Sequence, residues 1–316
     1  MQTQAPFAMQ VLSIRRMAEN VVSIDLAAPS GGTLPQWAPG AHIDLHLPSG
    51  RLRKYSLCGA VTDRGRYRIS VLRQGAGGVS DEIHDRLAVG AVVQVSGPLN
   101  HFPLLPAPGY LFLAGGIGIT PLLPMIAAAQ QQGVDWRLLY VGRGRGGMAH
   151  LEDLAAYGDR VRVVDTSDCG RPDLGAELGA RGGDDLIYCC GPEALMEAVQ
   201  IAARALGRAD RLKTERFGAP VAAAASGAAI GFEAVCARSG ISVMVPPQTS
   251  LATALEQAGV ECGLSCGEGY CGACMTRVVA GEADHRDSFL TPEEYAEGFM
   301  TPCVSRARGA KIILDL

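Results

Sequence analysis

The 316-residue sequence has no run of about 18 or more apolar residues, so no segment is expected to cross a membrane as a helix. It also lacks a strong charge of either sign. The 28 Lys and Arg and 32 Asp and Glu leave a net charge of −4, which argues against a general nucleic-acid binder. The opening stretch, Met1-Gln2-Thr3-Gln4-Ala5-Pro6-Phe7, has no basic segment leading into an apolar one. No secretion signal is therefore expected, and a cytoplasmic protein is. Neither G-x-S-x-G nor H-E-x-x-H is present, so no nucleophile–base arrangement is expected. The six histidines show no ligand spacing. His42 and His46 share one strand face and are expected at the surface or a barrel rim rather than on a metal. There is no internal repeat.

What is present is a chain long enough for two or three domains, with 48% hydrophobic residues and 40 glycines. Ten cysteines raise the question of a disulfide scaffold. Cys189-Cys190 sit in an apolar strand-like run, while Cys58, Cys169, Cys236 and Cys262 are scattered, so reduced thiols fit better. The remaining four form a pattern. Cys266, Cys271 and Cys274 stand as C-x4-C-x2-C, and Cys303 follows in Met300-Thr301-Pro302-Cys303. This is the plant-type [2Fe–2S] spacing. Two sulfide-bridged irons need four converging thiolates. A tight loop brings three together, and the fourth arrives from a separate segment held by Pro302. Gly267, Gly269 and Gly272 allow positive φ and close approach of amides to the sulfurs. A zinc site would rather show two C-x-x-C knuckles, and only Cys271 and Cys274 have that spacing.

Taken in order, the residues up to about Leu105 read as short alternating strands: Val21 to Leu26, His42 to Leu47, Tyr67 to Leu72. Pro39-Gly40, Ser49-Gly50 and Gly97-Pro98 punctuate them, which predicts a small antiparallel barrel. From Gly109 the pattern becomes strand–helix alternation, with strands at Tyr110 to Ala114, Trp136 to Val141, Val161 to Val164 and Leu186 to Cys190. A helix is expected over Pro121 to Gln132, and the alternation predicts a parallel sheet. Phe217 to Gly231 is poor in charge and rich in Ala, Gly and Ser, and reads as a linker, although its alanines equally suit a helix. Beyond it, Ile230 to Val235 and Ile241 to Val245 read as a hairpin, and Thr253 to Ala258 as a helix before the cysteine loop. From Leu251 to Leu316 there are ten acidic and five basic residues, a net of −5. That acidity suits steering of a basic partner and suits simple solubility equally.

Three further stretches carry binding chemistry. Arg53-Lys54-Tyr55-Ser56 ends a strand and offers a cation, an aromatic ring and a hydroxyl, as a flavin site needs. Alone it reads as an edge strand with a half-buried tyrosine. Gly77-Gly78-Val79-Ser80 opens the helix Asp81 to Leu87, an anion site by its free N–H groups, or else a glycine turn with Ser80 as N-cap. Gly115-Gly116-Ile117-Gly118-Ile119-Thr120-Pro121 joins a strand to a helix, with Thr120 expected to cap it and Pro121 to take its first position. It is not G-x-G-x-x-G. Cys190-Gly191-Pro192 ends a later strand, at the edge where open α/β sheets bind ligands, though a lone buried thiol is usually packing.

In this order, and together with Glu215-Arg216-Phe217, the motifs resemble the phthalate dioxygenase reductase family, which takes in vanillate O-demethylase reductases and related Rieske-oxygenase reductases. The resemblance covers nearly the whole chain. It implies a flavin-binding antiparallel barrel in residues 1–105, a parallel-sheet α/β nicotinamide domain in 106–225 and a β-grasp [2Fe–2S] ferredoxin in 226–316. It implies FMN held by Arg53, Tyr55 and Ser56 beside Val71 and Leu72, with Gly77, Gly78, Val79 and Ser80 at its phosphate and Thr120 near the ring. Phe217 would cover the flavin face that nicotinamide reaches, and Gly116, Gly118 and Cys190 would line the nucleotide. Cys190 and Phe217 are thereby the residues nearest the reaction. Cys266, Cys271, Cys274 and Cys303 would ligate the cluster, while Cys262 has no family role.

The implied activity is transfer of electrons from NADH through FMN and the cluster to a separate Rieske-type aromatic-ring dioxygenase or O-demethylase. The flavin splits a hydride pair that a one-electron cluster accepts singly. Asp165-Thr166-Ser167-Asp168 would place carboxylates near an adenosine ribose and favour NADH, whereas Arg143 and Arg145 point toward NADPH. A monomer is expected. Two other functions fit the same motifs: a self-sufficient reductase of small acceptors such as a quinone or ferric chelate, and a redox-sensing interaction protein.

Overall fold

A computed structural model describes residues 6–47, 52–75, 79–217, 230–264, 267, 269, 272–287, 289–290 and 292–316. The chain divides into two compact units, Met1–Phe217 and Gly218–Leu316. The expected linker falls mostly outside the described residues.

Alternation of apolar and polar residues dictates the first sheet. Its strands are β1 (Phe7–Ala18), β2 (Val21–Ala27), β3 (Ala41–His46), β4 (Leu52–Ser56), β5 (Tyr67–Leu72) and β6 (Val92–Asn100), with helix α1 (Val79–Arg86) between the last two. They pair in the order β4-β3-β6-β1-β2-β5, every ladder antiparallel. Met9, Ile24, Leu26, Ile43, Leu45, Ile69 and Val95 fill the interior and are fully buried. Each such side chain contributes roughly 1.5–3 kcal/mol. The sheet curls until its two edge strands meet: Cys58 N–H, just past β4, donates to Arg68 O in β5 at 2.9 Å. The barrel therefore closes at a seam rather than by another ladder. Outside the interior, buried Asp25 of β2 accepts from Arg68 Nε at 2.7 Å and Ser13 Oγ at 3.0 Å.

The second sheet is parallel, as the strand–helix alternation predicts. Its strands β7 (Gly109–Gly115), β8 (Asp135–Gly142), β9 (Val161–Asp165), β10 (Leu186–Cys190) and β11 (Leu212–Glu215) lie in the order β11-β10-β7-β8-β9. Helices α2 (Ile119–Gln131), α3 (Leu151–Ala155), α4 (Leu174–Gly179) and α5 (Glu193–Ala205) intervene. Both faces are covered. Phe112, Trp136, Leu138 and Tyr188 pack with Leu122, Met125 and Ile126 of α2 on one side. Leu111, Leu113, Leu139 and Ile187 pack with Leu178, Val199 and Ala203 on the other.

Barrel and parallel sheet both lie in the first compact unit. The physical reason is direct bonding across the join. Glu19 N–H donates to Gly146 O at 2.9 Å, and Ser70 Oγ lies 2.9 Å from His150 Nε2.

The second unit contains β12 (Phe232–Cys236), β13 (Ser242–Val245), α6 (Leu251–Gln257), β14 (Thr276–Ala280), β15 (Ala283–Asp284), α7 (Pro292–Ala296), β16 (Phe299–Met300), β17 (Arg306–Ala307) and β18 (Lys311–Leu314). Its main sheet runs β13-β12-β18-β14-β16, with β12 and β18 parallel. The expected hairpin is β12–β13. Leu251 and Leu255 of α6 pack on Phe232, Val245 and Ile312, the one-helix-on-sheet arrangement of a β-grasp. Ser250 caps the helix by accepting from Thr253 N–H at 3.1 Å. No helix among the described residues is long and apolar enough to cross a membrane.

Candidate functional site

Period-2 geometry sends Arg53 and Tyr55 to one side of β4 and Ser56, which is buried, to the other. Burial pushes the Tyr55 hydroxyl well above the usual phenol range, with only partial offset from Arg53. Tyr55 is thus a neutral donor. Across the seam, Val71 is buried and Leu72 half-buried at the end of β5. The chain then turns into α1, where Ser80 Oγ accepts from Gln74 N–H at 3.0 Å and Asp81 accepts from Arg73 Nε at 3.2 Å. Val79 and Ser80 are both buried in the first turn of α1. Gly77 and Gly78 lie outside the described residues.

In the parallel sheet, the glycine loop and the Cys190 loop press directly on each other. A Cβ on Gly118 would stand 2.2 Å from Cys190 O, and one on Gly191 would stand 2.8 Å from Gly115 Cα. Gly116 takes φ +52°, a conformation that side chains disfavour. Thr120 does not cap α2. The helix begins at Ile119, with Gly118 at the N-cap already in helical backbone, so Thr120 lies within the first turn and donates to Ile117 O at 3.0 Å. Pro121 is consequently third in the helix rather than first.

Cys190 is fully buried, and burial, reinforced by Glu215 and Cys189, raises its thiol far above the ordinary range. It is a neutral thiol. Its in-register neighbour across β10–β11 is Glu215. That carboxyl is pushed up to about 8 by burial, with Lys54 pulling the other way, and its Oε2 is buried without a hydrogen-bond partner. In the sequence Glu215 stands out only as part of Glu215-Arg216-Phe217, because neither its burial nor its pairing is visible there. Phe217 packs against the apolar cluster on the α2 side of the sheet.

One further expectation is corrected. His42 is buried, not at a surface, and packs against His101 with Lys54 Nζ at 3.4 Å from its Nε2. Burial first, then these two neighbours, lower it to about 3. The absence of sequence motifs also concealed an ordered set: His150 stands between Ser70 Oγ at 2.9 Å and Asp153 Oδ2 at 2.7 Å.

Asp165 is occupied structurally. Its Oδ1 accepts from Gly144 N–H at 2.8 Å and Ser167 Oγ at 2.6 Å, and such bonds bring the carboxyl down to about 2. Asp168, Arg143 and Arg145 are exposed nearby.

In the second unit, Cys274 and Cys303 are both buried, while Cys266 and Cys271 lie outside the described residues. Gly267, Gly269 and Gly272 take φ of +70°, +73° and +68°, as the cysteine spacing requires. At Gly272 an added Cβ would lie 2.1 Å from the Phe289 ring, and at Gly269 it would lie 2.5 Å from Val304. Gly269 is therefore packed closely against Val304, the residue after Cys303. Pro302 fixes the Cys303 segment by accepting from Ala252 N–H at 3.0 Å. The donor set fits a plant-type [2Fe–2S] cluster: soft thiolate donors on two segments packed together by glycine. Cys262 is buried beside this set and turns its thiol toward Ala252 O, 3.9 Å away. Burial and the neighbouring Cys274 push it up to about 12.

Comparison with known proteins fits this geometry. A model of the oxidoreductase FAD-binding domain matches residues 8–103, and one of the 2Fe-2S iron-sulfur cluster binding domain matches residues 235–308. Phenoxybenzoate dioxygenase subunit beta of Ectopseudomonas oleovorans is 41% identical, over 99% of this chain and 98% of its own. Vanillate O-demethylase oxidoreductase of Pseudomonas sp. (strain HR199 / DSM 7063) is 38% identical, over 97% and 98%. The solved structure of phthalate dioxygenase reductase superposes with TM-score 0.77 at 34% identity, covering 99% of this chain and 98% of that one. The chain belongs to the phthalate dioxygenase reductase family. It is an oxidoreductase with a flavin-binding barrel, a parallel α/β sheet and a [2Fe–2S] domain, of the kind that serves as reductase component in aromatic dioxygenase and demethylase systems. The same arrangement recurs inside a longer protein: an intact type IV self-sufficient cytochrome P450 monooxygenase superposes with TM-score 0.85 at 39% identity, covering 98% of this chain and 41% of that one.

Proposed function

We propose that this reductase takes electrons from NADH, passes them through FMN to its [2Fe–2S] cluster and delivers them to a separate Rieske-type terminal oxygenase. The observation that carries this reading is the succession of flavin barrel, parallel sheet and ferredoxin in one chain, matched end to end by reductases of oxygenase systems. When bound, the flavin would accept hydride and release electrons one at a time, and the cluster would carry single electrons outward.

The chain's own residues position these groups. Arg53, Tyr55 and Ser56, with Val71 and Leu72, would hold the flavin at the barrel seam, where half-buried and neutral Tyr55 offers a hydrogen bond without adding charge. Gly77, Gly78, Val79 and Ser80 would receive its phosphate at the start of α1, and FMN rather than FAD follows from the family resemblance. Gly116, Gly118 and Cys190 would line the nucleotide, with Thr120 close to the flavin ring and Phe217 shielding it from water. Neutral Cys190 and neutral Glu215 leave this pocket without fixed negative charge against the incoming nucleotide. Cys266, Cys271, Cys274 and Cys303 would ligate the cluster. Exposed Asp168 beside the Asp165 turn supports NADH over NADPH. A monomer in the cytoplasm is the simplest state for such a carrier.

Anaerobic titration of the purified protein with NADH, followed by visible absorption and low-temperature EPR, tests the route. Flavin bleaching with a rhombic one-electron cluster signal is expected. Flavin reduction without iron or an EPR signal would overturn the cluster assignment. The released flavin identifies itself: phosphodiesterase raises the fluorescence of FAD and leaves that of FMN unchanged.

A further inference from the structure

His150 is the single non-glycine residue with positive φ among the described residues, at +64°. A residue keeps such a conformation only where its surroundings over-determine it. Here the surroundings are a path of hydrogen bonds. With Asp153 accepting from Nδ1–H at 2.7 Å, Nε2 is left as the acceptor for the Ser70 hydroxyl at 2.9 Å. One residue back, Ala149 O lies 3.1 Å from the Tyr140 hydroxyl, which stands 3.1 Å from Gly116 O as well. The path thus runs from barrel strand β5 to the glycine loop of the parallel sheet. Ser70, His150 and Tyr140 are all buried, at 4%, 2% and 0% exposure.

The order Ser–His–Asp is that of a hydrolytic triad. Hydrolysis does not fit this one. Ser70 is sealed from solvent, with Cys58 Sγ 3.5 Å from its hydroxyl, so a substrate carbonyl has no approach. The set ties two parts of the unit together instead. Ser70 immediately precedes Val71 and Leu72, and Gly116 begins the loop assigned to the nucleotide.

We propose that His150 is a positioning residue for hydride transfer: through Ser70 on one side and the Ala149–Tyr140–Gly116 contacts on the other, it fixes the flavin strand relative to the nucleotide loop. This rests on the route proposed above. Hydride transfer demands close registration of donor and acceptor, and a displacement of about 1 Å costs on the order of a hundredfold in rate.

The test is anaerobic stopped-flow reduction of the holoprotein by NADH, comparing wild type with Ser70→Ala, Ser70→Thr, His150→Asn and the Ser70→Ala/His150→Asn pair. Asn tolerates positive φ, and Ser70→Ala removes only the hydroxyl. The limiting rate of flavin bleaching is expected to fall about tenfold in Ser70→Ala and His150→Asn, the scale of a sub-ångström displacement. The dissociation constant for NADH and the flavin and iron content should stay within about twofold, and Ser70→Thr should recover most of the rate. The double variant should be no slower than the slower single one, because both break one link. Limiting rates within about twofold of wild type, losses that multiply, or a Ser70→Thr protein as slow as Ser70→Ala would each overturn the proposal. Should His150→Asn fail to fold, the Ser70 pair decides alone. A wild-type protein that NADH does not reduce would instead remove the underlying route.

Discussion

Cys190 and Glu215 stand in register on neighbouring parallel strands, β10 and β11, and burial holds both in their neutral forms near pH 7. A buried acid of this kind makes stability depend on pH in a definite direction. In the unfolded chain Glu215 titrates near 4.5, and in the folded protein at about 8. The folded form therefore has its full advantage below the unfolded value and loses it as pH rises toward 8. Glu215→Gln should remove this slope. Denaturation midpoints measured across that window should show the variant gaining on wild type as pH rises; parallel curves would refute it.

Gly118 and Gly147 offer a matched pair. A Cβ at Gly118 would collide with the Cys190 carbonyl at 2.2 Å, whereas one at Gly147 would meet nothing within 4 Å. Gly118→Ala should destabilise the protein by about 1–3 kcal/mol through forced backbone displacement. It should also weaken NADH binding. Gly147→Ala should do neither, as read by chemical denaturation and nucleotide titration.

The Cys262 side chain turns toward Ala252 O, as expected of a packing thiol rather than a ligand. Cys262→Ala should keep full iron and sulfide content per flavin while losing about 1 kcal/mol of stability. Cys274→Ala or Cys303→Ala should lose the cluster. Iron content near zero in Cys262→Ala would make it a ligand.

Asp25 binds the barrel's outer face together. Burial raises its carboxyl, but the hydrogen bonds and charge of Arg68 bring it below the usual value. Its contribution is present above the unfolded value of 3.8 and is lost as pH falls. Asp25→Asn should cost about 2 kcal/mol at pH 7 by leaving Arg68 short of its charged partner, with the difference shrinking in acid. Thermal unfolding at pH 7 and at a pH well below 3.8 separates the two cases.

Local pattern carried much of this molecule. Period-2 alternation gave the barrel strands, strand–helix alternation gave the parallel sheet, and the glycines among the cysteines take the positive φ expected of them. These features depend on neighbours within a few residues. The misread details depend on more. Thr120 was expected at a helix start because a hydroxyl before proline suits one, yet Gly118 already has helical backbone and moves the start upstream. His42 resembles any strand-face histidine until His101 and Lys54 fold over it. Ser70 and His150 are 80 positions apart, and no spacing rule links them.

The barrel seam has a consequence for assembly. β4 and β5 meet through the Cys58–Arg68 backbone bond and the Cys58–Ser70 contact, while the five ladders of the sheet lie elsewhere. A ligand seated at that seam would touch two strands that owe their pairing to other neighbours. Its arrival or departure would leave every ladder intact, so the barrel is expected to stay folded when the flavin is removed.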